Sequence, residues 1–388
     1  MQVRHFDCLS DEDRAHLFDQ VPQPVDVRDE ARLVALALGA TLYLPGTRPA
    51  LAEDLRRRVR AGVTSAVVCL EDAIGDDDVA EAEVNVVRQL TALLRSGDPR
   101  PLLFVRVRSP EQLTRVAEGL GEALCVLSGF VVPKFTAASG LPYLRLVEQL
   151  RLSTGLPLSV MPIMESREVI HRETRTAALT EAHDLLQAHR DVVLAVRVGT
   201  TDLSSVYGLR RGPDLTVYDV GVVAQVLSDV VNVMARADGT GFVVCGPVWE
   251  YFGDDHRLFK PMLRESPFQR AHEPALRTQL LATHLDGLVR EVVLDRANGM
   301  SGKTVIHPSH VMPVHALSVV SHEDHQDAVS IDEKSRKGGG VSASGYRNKM
   351  NEAGPHRSWA AATLQRAHVF GVAREGVTFV DLLAACTP

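Results

Sequence analysis

Residues 192–202 read VVLAVRVGTTD, a nearly unbroken apolar run that ends on an acid, Asp202. Residues 158–166, LSVMPIMES, have the same form and carry Glu165 near their end. Apolar runs without polar alternation suit strands covered on both faces, and such strands belong to parallel sheets. Working outward, six more runs appear: TLYLPG (41–46), SAVVCLED (65–72), LLFVRV (102–107), GFVVPKF (129–135), GFVVCGP (241–247) and KTVIHPS (303–309). Segments such as PALAEDLRRRVRAG and SPEQLTRVAEGLGEAL lie between them, with apolar residues at helical spacing and acids in the first turn. Eight strand–helix units predict a (β/α)8 TIM barrel over residues 39–320. A doubly wound open sheet is the alternative, but no Gly-rich dinucleotide fingerprint follows the first strand.

The flanks read differently. Residues 1–38 form an N-terminal extension in which SDEDRAHLF starts a helix behind an N-cap serine. A helix is expected after the eighth run, through SHVMPVHALSVVSHEDHQDAVSI. Residues 321–388 then read as a hinge, with KGGGVSASG at its centre, and a C-terminal helical lid whose last helix runs from about Arg357 to Val372. SHEDHQD (321–327) could ligate a metal, but its helical spacing favours a solvated face, as it does for RRRVR (56–60).

Composition narrows the function. With 45% apolar and 23% charged residues the chain is ordinary for a globular protein. A net charge of −7 and a pI near 6.1 argue against a nucleic-acid surface. The polar start MQVRHFDCLSDEDR is no signal peptide, and no apolar run reaches the length of a membrane span, so a cytoplasmic location is expected. The five cysteines show no ligand spacing, and Cys69 and Cys245 fall inside apolar runs.

In a TIM barrel the catalytic groups sit where strands run out into the βα loops. Those exits carry Glu71 and Asp72, Arg106, Lys134, Glu165, Asp202 and His307. Any one of them suits a helix cap or a surface position; six charged exits together point to a site. Glu165 and Asp202 end neighbouring strands and supply hard oxygen ligands, which suit Mg²⁺ or Mn²⁺ with open positions for water and substrate. Such an ion can act as a Lewis acid on a 2-keto acid and stabilise an enolate. Arg106 offers a planar fork for a carboxylate, and Glu71 and Asp72 can hold metal-bound water or orient Arg106. Lys134 is either a Schiff-base nucleophile, as in a class I aldolase, or a partner of Glu165 or Asp72. Arg210 and Arg211, in YGLRRG, either recognise an anionic group such as a phosphate or lie on a loop surface. His307 joins them as a substrate-side candidate.

The ordered motifs LYLPG, CLEDAI, FVRVR, PIMES, VGTTDL and NGMSGKTVIHPSH, with NKMNEAGPHRSWA near the end, resemble those of the citrate lyase β-subunit and HpcH/HpaI aldolase superfamily over most of residues 40–375. The resemblance implies a lyase or aldolase acting on a 2-oxo or acyl-type substrate, with Glu165 and Asp202 as Mg²⁺ ligands and Arg106 on the substrate. It also implies a homo-oligomer, a trimer or hexamer, in which Glu352 of the lid serves as acid or base on an adjacent subunit. Within the superfamily the chain looks most like the TIM-barrel C–C bond lyase-like proteins of tellurium-resistance and stress gene clusters. Two positions depart from the pattern: Gly39 replaces an arginine of the first strand, and Arg108 replaces the asparagine after VRV. Both touch the region where relatives hold substrate or coenzyme A, so a carboxylate substrate is expected while citryl-CoA and malyl-CoA are put in doubt. A non-catalytic ligand-binding or scaffold barrel is the competing reading.

Overall fold

The computed structural model describes residues 1–252, 275 and 285–386; the others, all but the last two inside the expected barrel range, lie outside the description. Eight parallel strands close into a barrel: β1 (Ala40–Pro45), β2 (Ser65–Cys69), β3 (Leu102–Arg106), β4 (Gly129–Val132), β5 (Ser159–Met164), β6 (Val196–Val198), β7 (Val244–Trp249) and β8 (Lys303–Val305). Closure comes from pairing β8 with both β7 and β1, Lys303 lying opposite Gly246 and Ala40. Each strand falls on one of the eight apolar runs, and their residues are almost wholly buried because helices cover the outside. The sixth run is only partly strand. β6 ends at Val198, and Asp202 sits in the first turn of a helix, Thr200–Ser205.

The barrel interior is partly polar. Arg197 on β6 is 1% exposed and donates to Thr41 Oγ1 (3.2 Å) and Thr304 Oγ1 (2.6 Å), with its guanidinium 5.5 Å from the Tyr43 ring. Among the described residues no carboxylate pairs with it.

The flanks pack on each other and on the barrel. Helix Asp11–Leu17 forms as expected, with Ser10 Oγ accepting from the Asp13 amide. Strand Phe18–Gln20 pairs with Val372–Ala373, tying the N-terminal extension to the C-terminal part. The single helix expected after β8 is two, Val311–Ser318 and His322–Arg336. Between them Val320 leaves the helix to exchange backbone hydrogen bonds with Gly371 and Ala373. The Gly/Ser-rich stretch is also not all hinge. Gly338, Gly339 and Gly340 have positive φ, but Val341–Ala343 is a strand paired antiparallel to Met350–Glu352. Lys349 of this hairpin pairs with Glu323 and Asp327 at 2.9 Å, so the acids of SHEDHQD clamp the hairpin, and Asp327 is buried rather than solvated. Helix Arg357–Phe370 follows, and a further helix, Phe379–Cys386, has no counterpart among the expected elements.

Candidate active site

At the C-terminal ends of β2, β3, β4, β5 and β6 the structure brings together Glu71, Asp72, Arg106, Lys134, Glu165 and Asp202. Arg106 is the last residue of β3, and its guanidinium lies inward among acids. Its Nη2 is 2.6 Å from Glu71, 3.0 Å from Asp72 and 3.0 Å from Glu165. Its Nε is buried without a partner. Lys134 has φ +47°, a left-handed conformation that is costly outside glycine. From that position its backbone N–H donates to Glu165 Oε1 (3.1 Å), while its Nζ is 2.7 Å from Glu71, 3.5 Å from Asp72 and 4.0 Å from Asp202. Glu165, Asp202 and Lys134 border a cleft of about 790 Å³ that continues past Ser166 and His171.

Glycine at 199 is required by this arrangement. A Cβ there would stand 1.7 Å from Glu165 Oε2. The tight turn after β6 thus leaves room for the Glu165 carboxylate and for no side chain of its own.

Four carboxylates face two cations, so the mouth carries two uncompensated negative charges at full ionisation. The titration behaviour reflects this. Burial, with Arg106 opposing and Asp202 adding repulsion, pushes the Glu165 carboxyl up to about 7. Glu71 is raised by burial and by its contact with Asp72. Asp202 is raised by burial and by the Asp72 charge. Lys134 is held above the ordinary lysine range because, against the cost of burial, Glu71 and the neighbouring acids favour its charged form.

Among the described residues no group of three or more His, Cys, Asp or Glu side chains is gathered for a metal. The donor set fits a different kind of ion. Two carboxylates on adjacent strand exits, a residual double negative charge and an open cleft suit a divalent cation that keeps most of its water, as Mg²⁺ does.

The remaining candidates fall elsewhere. Arg211 is not available to a substrate: its buried guanidinium pairs with Glu291, donates to Val248 O (2.7 Å) and stacks 4.9 Å from the Trp249 ring. Glu291 also holds Lys303 (3.0 Å), which reaches Asp295 (2.6 Å), so Arg211 belongs to an ion network beneath the β6 loop. Arg210 is exposed. His307 leaves β8 at the same end of the barrel but turns to Ser309 (2.7 Å) and stacks on Phe252 at 4.6 Å. Glu352 is exposed in the hairpin and lies five residues before Arg357, which sits at the opposite, N-terminal end of the barrel. In its own chain it does not cover the mouth.

Sequence reasoning passed over two contributors, Tyr43 and Arg197, and took Arg108 as a substrate-side departure rather than as a brace. Arg108 donates to the carbonyls of Leu70 (2.8 Å), Glu71 (3.2 Å) and Ile74 (3.2 Å) and pairs with Asp76, so it braces the loop that presents Glu71 and Asp72. Tyr43 is packed between Arg197 and the Arg106–Glu165 pair, and burial raises its phenol. Arg197 was signalled by a charge inside an apolar run, but its partners lie on β1 and β8, far away in sequence. Gly39 also gains an explanation. Its φ is +52°, and a Cβ would lie 2.7 Å from His315 and 2.8 Å from His5, two histidines that fill the space an arginine would need.

A closed parallel barrel with its acids and cations collected at the C-terminal ends of the strands is the architecture of a barrel enzyme. The chain belongs to the family described as C–C bond lyase of the TIM-barrel fold, whose model matches residues 32–372. Among solved structures it is similar to CitE of Mycobacterium tuberculosis, solved with magnesium, acetoacetate and coenzyme A, at 20% identity and a TM-score of 0.53 over 86% of this chain and 99% of that one. It is also similar to a citrate lyase from Burkholderia xenovorans LB400, at 16% identity and a TM-score of 0.59 over 89% and 96% of the two chains. At these identities the likeness is one of fold. No curated protein matches the chain. Among the described residues no helix is long and apolar enough to cross a membrane.

Proposed function

We propose that the barrel mouth is the active site of a Mg²⁺-dependent carbon–carbon lyase acting on a small 2-oxo or acyl-type carboxylate. The carrying observation is the excess of two carboxylate charges at the strand exits, where Glu165 and Asp202 stand on adjacent exits and burial and the Asp202 charge raise the Glu165 carboxyl. Glu165 and Asp202 would hold the ion. When bound, Mg²⁺ supplies Lewis-acid polarisation of a substrate carbonyl. Arg106 binds the substrate carboxylate, its contacts to the acids all using Nη2 and leaving the rest of the planar fork unspent on them. Glu71 and Asp72 orient Arg106 and keep Lys134 protonated. An ammonium held by two acids is no nucleophile, which speaks against Schiff-base chemistry at Lys134. Magnesium and acetoacetate in the M. tuberculosis protein support the same assignment of ion and substrate class. If Glu352 takes part, it does so on a neighbouring subunit of a homo-oligomer.

Calorimetric titration of Mg²⁺ into the parent protein, Glu165→Gln and Asp202→Asn tests the site. Both variants should weaken binding by about tenfold or more, since each removes a charged ligand. Arg106→Lys should bind Mg²⁺ normally but lose oxaloacetate or glyoxylate, because lysine lacks the fork. Unchanged Mg²⁺ affinity in both acid variants would remove the basis of the reading.

A further inference from the structure

At the end of the barrel opposite the acids, a cavity of about 670 Å³ lies between the N-terminal ends of β6 and β7 and the helix Arg357–Phe370. Four arginines border it: Arg32, Arg190, Arg236 and Arg357, with Glu30 the one acid among its lining residues. They come from four separate segments, so no single helix face explains the cluster. None of the four forms an ion pair with a described carboxylate, although the chain has 49 acidic residues against 42 basic ones.

Their donors are unevenly spent. Arg190 is committed to structure: it donates to the carbonyls of Thr240 (3.1 Å) and Gly241 (2.8 Å) and lies 4.7 Å from the Phe242 ring. Arg32 uses only Nε, on Gln365 (2.8 Å), and Arg236 uses only Nε, on the Asn232 carbonyl (2.9 Å) of the helix that ends just before it. Arg357 donates its side chain to no described residue. The outer ends of three guanidiniums therefore remain free around one cavity. Like charges gathered without counter-charge repel, and planar forks with free N–H pairs match phosphate oxygens two at a time. The opposite wall is apolar, with Val193, Leu194 and Phe242 behind it, and the volume is that of an ordinary small-molecule site.

We infer that this cavity is a second ligand site, separate from the mouth, for a small molecule bearing a phosphate or diphosphate group held by Arg32, Arg236 and Arg357. Since Arg357 opens the C-terminal helix while Arg236 belongs to the barrel, the ligand bridges the two and fixes that helix against the barrel floor. A carboxylate metabolite with a single anionic group would engage fewer of the forks, so the site selects for phosphate.

The test is calorimetric titration of the full chain, without divalent metal and at constant ionic strength, with sodium pyrophosphate and with ADP. The two probes separate an inorganic from an organic source of the phosphate, and binding of either supports the site. Arg236→Gln and Arg357→Gln should each weaken binding about tenfold, and the double variant further. Arg106→Lys, at the mouth, should leave it unchanged. Hydrogen exchange on the parent protein gives a reading that needs no variant: the probe should protect residues 357–365. Absence of binding by both probes, unchanged affinity in the double variant, or protection confined to the mouth would each overturn the inference.

Discussion

Replacing Glu165 by glutamine should stabilise the metal-free protein while weakening its response to Mg²⁺. The carboxyl is 6% exposed and titrates at about 7, where an ordinary glutamate titrates at 4.5. Its folded-state pKa is raised, so the fold favours the protonated acid. Stability is then fully present below the unfolded value and is lost as pH rises through 7. At about 1.36 kcal/mol per pH unit between the two values, ionised Glu165 costs the metal-free fold about 3 kcal/mol at pH 8 and only about 1 kcal/mol at pH 5. Glutamine keeps an oxygen to accept from the Lys134 amide and from Arg106, and it adds no charge beside Asp202. Urea denaturation in chelator should therefore show Glu165→Gln ahead by about 3 kcal/mol at pH 8, with the gap narrowing by roughly two-thirds at pH 5. In the melting temperature the same gap is roughly 4 °C. Adding Mg²⁺ should raise the parent's stability more than the variant's. A variant less stable than the parent at pH 8 would show that pairing with Arg106 outweighs burial and repulsion, and the argument for an unsatisfied acidic mouth would fail.

Gly199→Ala should displace the Glu165 carboxylate and weaken Mg²⁺ about tenfold, as losing a charged ligand does; calorimetry showing parental affinity would mean the turn can move aside. Glu291→Gln leaves Arg211 and Lys303 as buried cations short of one counter-charge and should cost about 3 kcal/mol in urea denaturation, a loss under about 1 kcal/mol counting against the network. His315 is fully buried beside His5, accepts from the Ala40 amide (3.1 Å), and is pushed down to about 3 by burial. Its folded pKa lies below the unfolded one, so nothing is lost at neutral pH and about 2 kcal/mol is lost on acidification from pH 7 to pH 5. His315→Gln should flatten that part of the stability–pH curve, and an unflattened curve would show that other groups carry the acid sensitivity.

All eight barrel strands were legible in the sequence, because strands covered on both faces must be apolar throughout and leave unbroken runs. The acids and Arg106 were legible for the same reason, each being a charge at the edge of such a run. What sequence hid was partnership. Arg211 looked like a loop arginine because its counter-ion, Glu291, is on a distant helix. The hairpin at Val341–Ala343 was masked by glycine and serine, whose composition reports backbone freedom but not the clamp of Lys349 on Glu323 and Asp327. The break at Val320 was invisible because an apolar residue continues a helical pattern as well as it ends one. Asp202 was placed at a strand end, whereas it opens a short helix one turn later.

The left-handed backbone at Gly39, boxed in by His5 and His315, lies just before β1 at the end of the barrel opposite the mouth, and it bears on how freely that end can change by mutation. An arginine at this position has no single-step route. The side chain would demand a positive φ that it disfavours and a volume already filled from two other segments of the chain. Positions 39, 5 and 315 would have to change together to seat an arginine there.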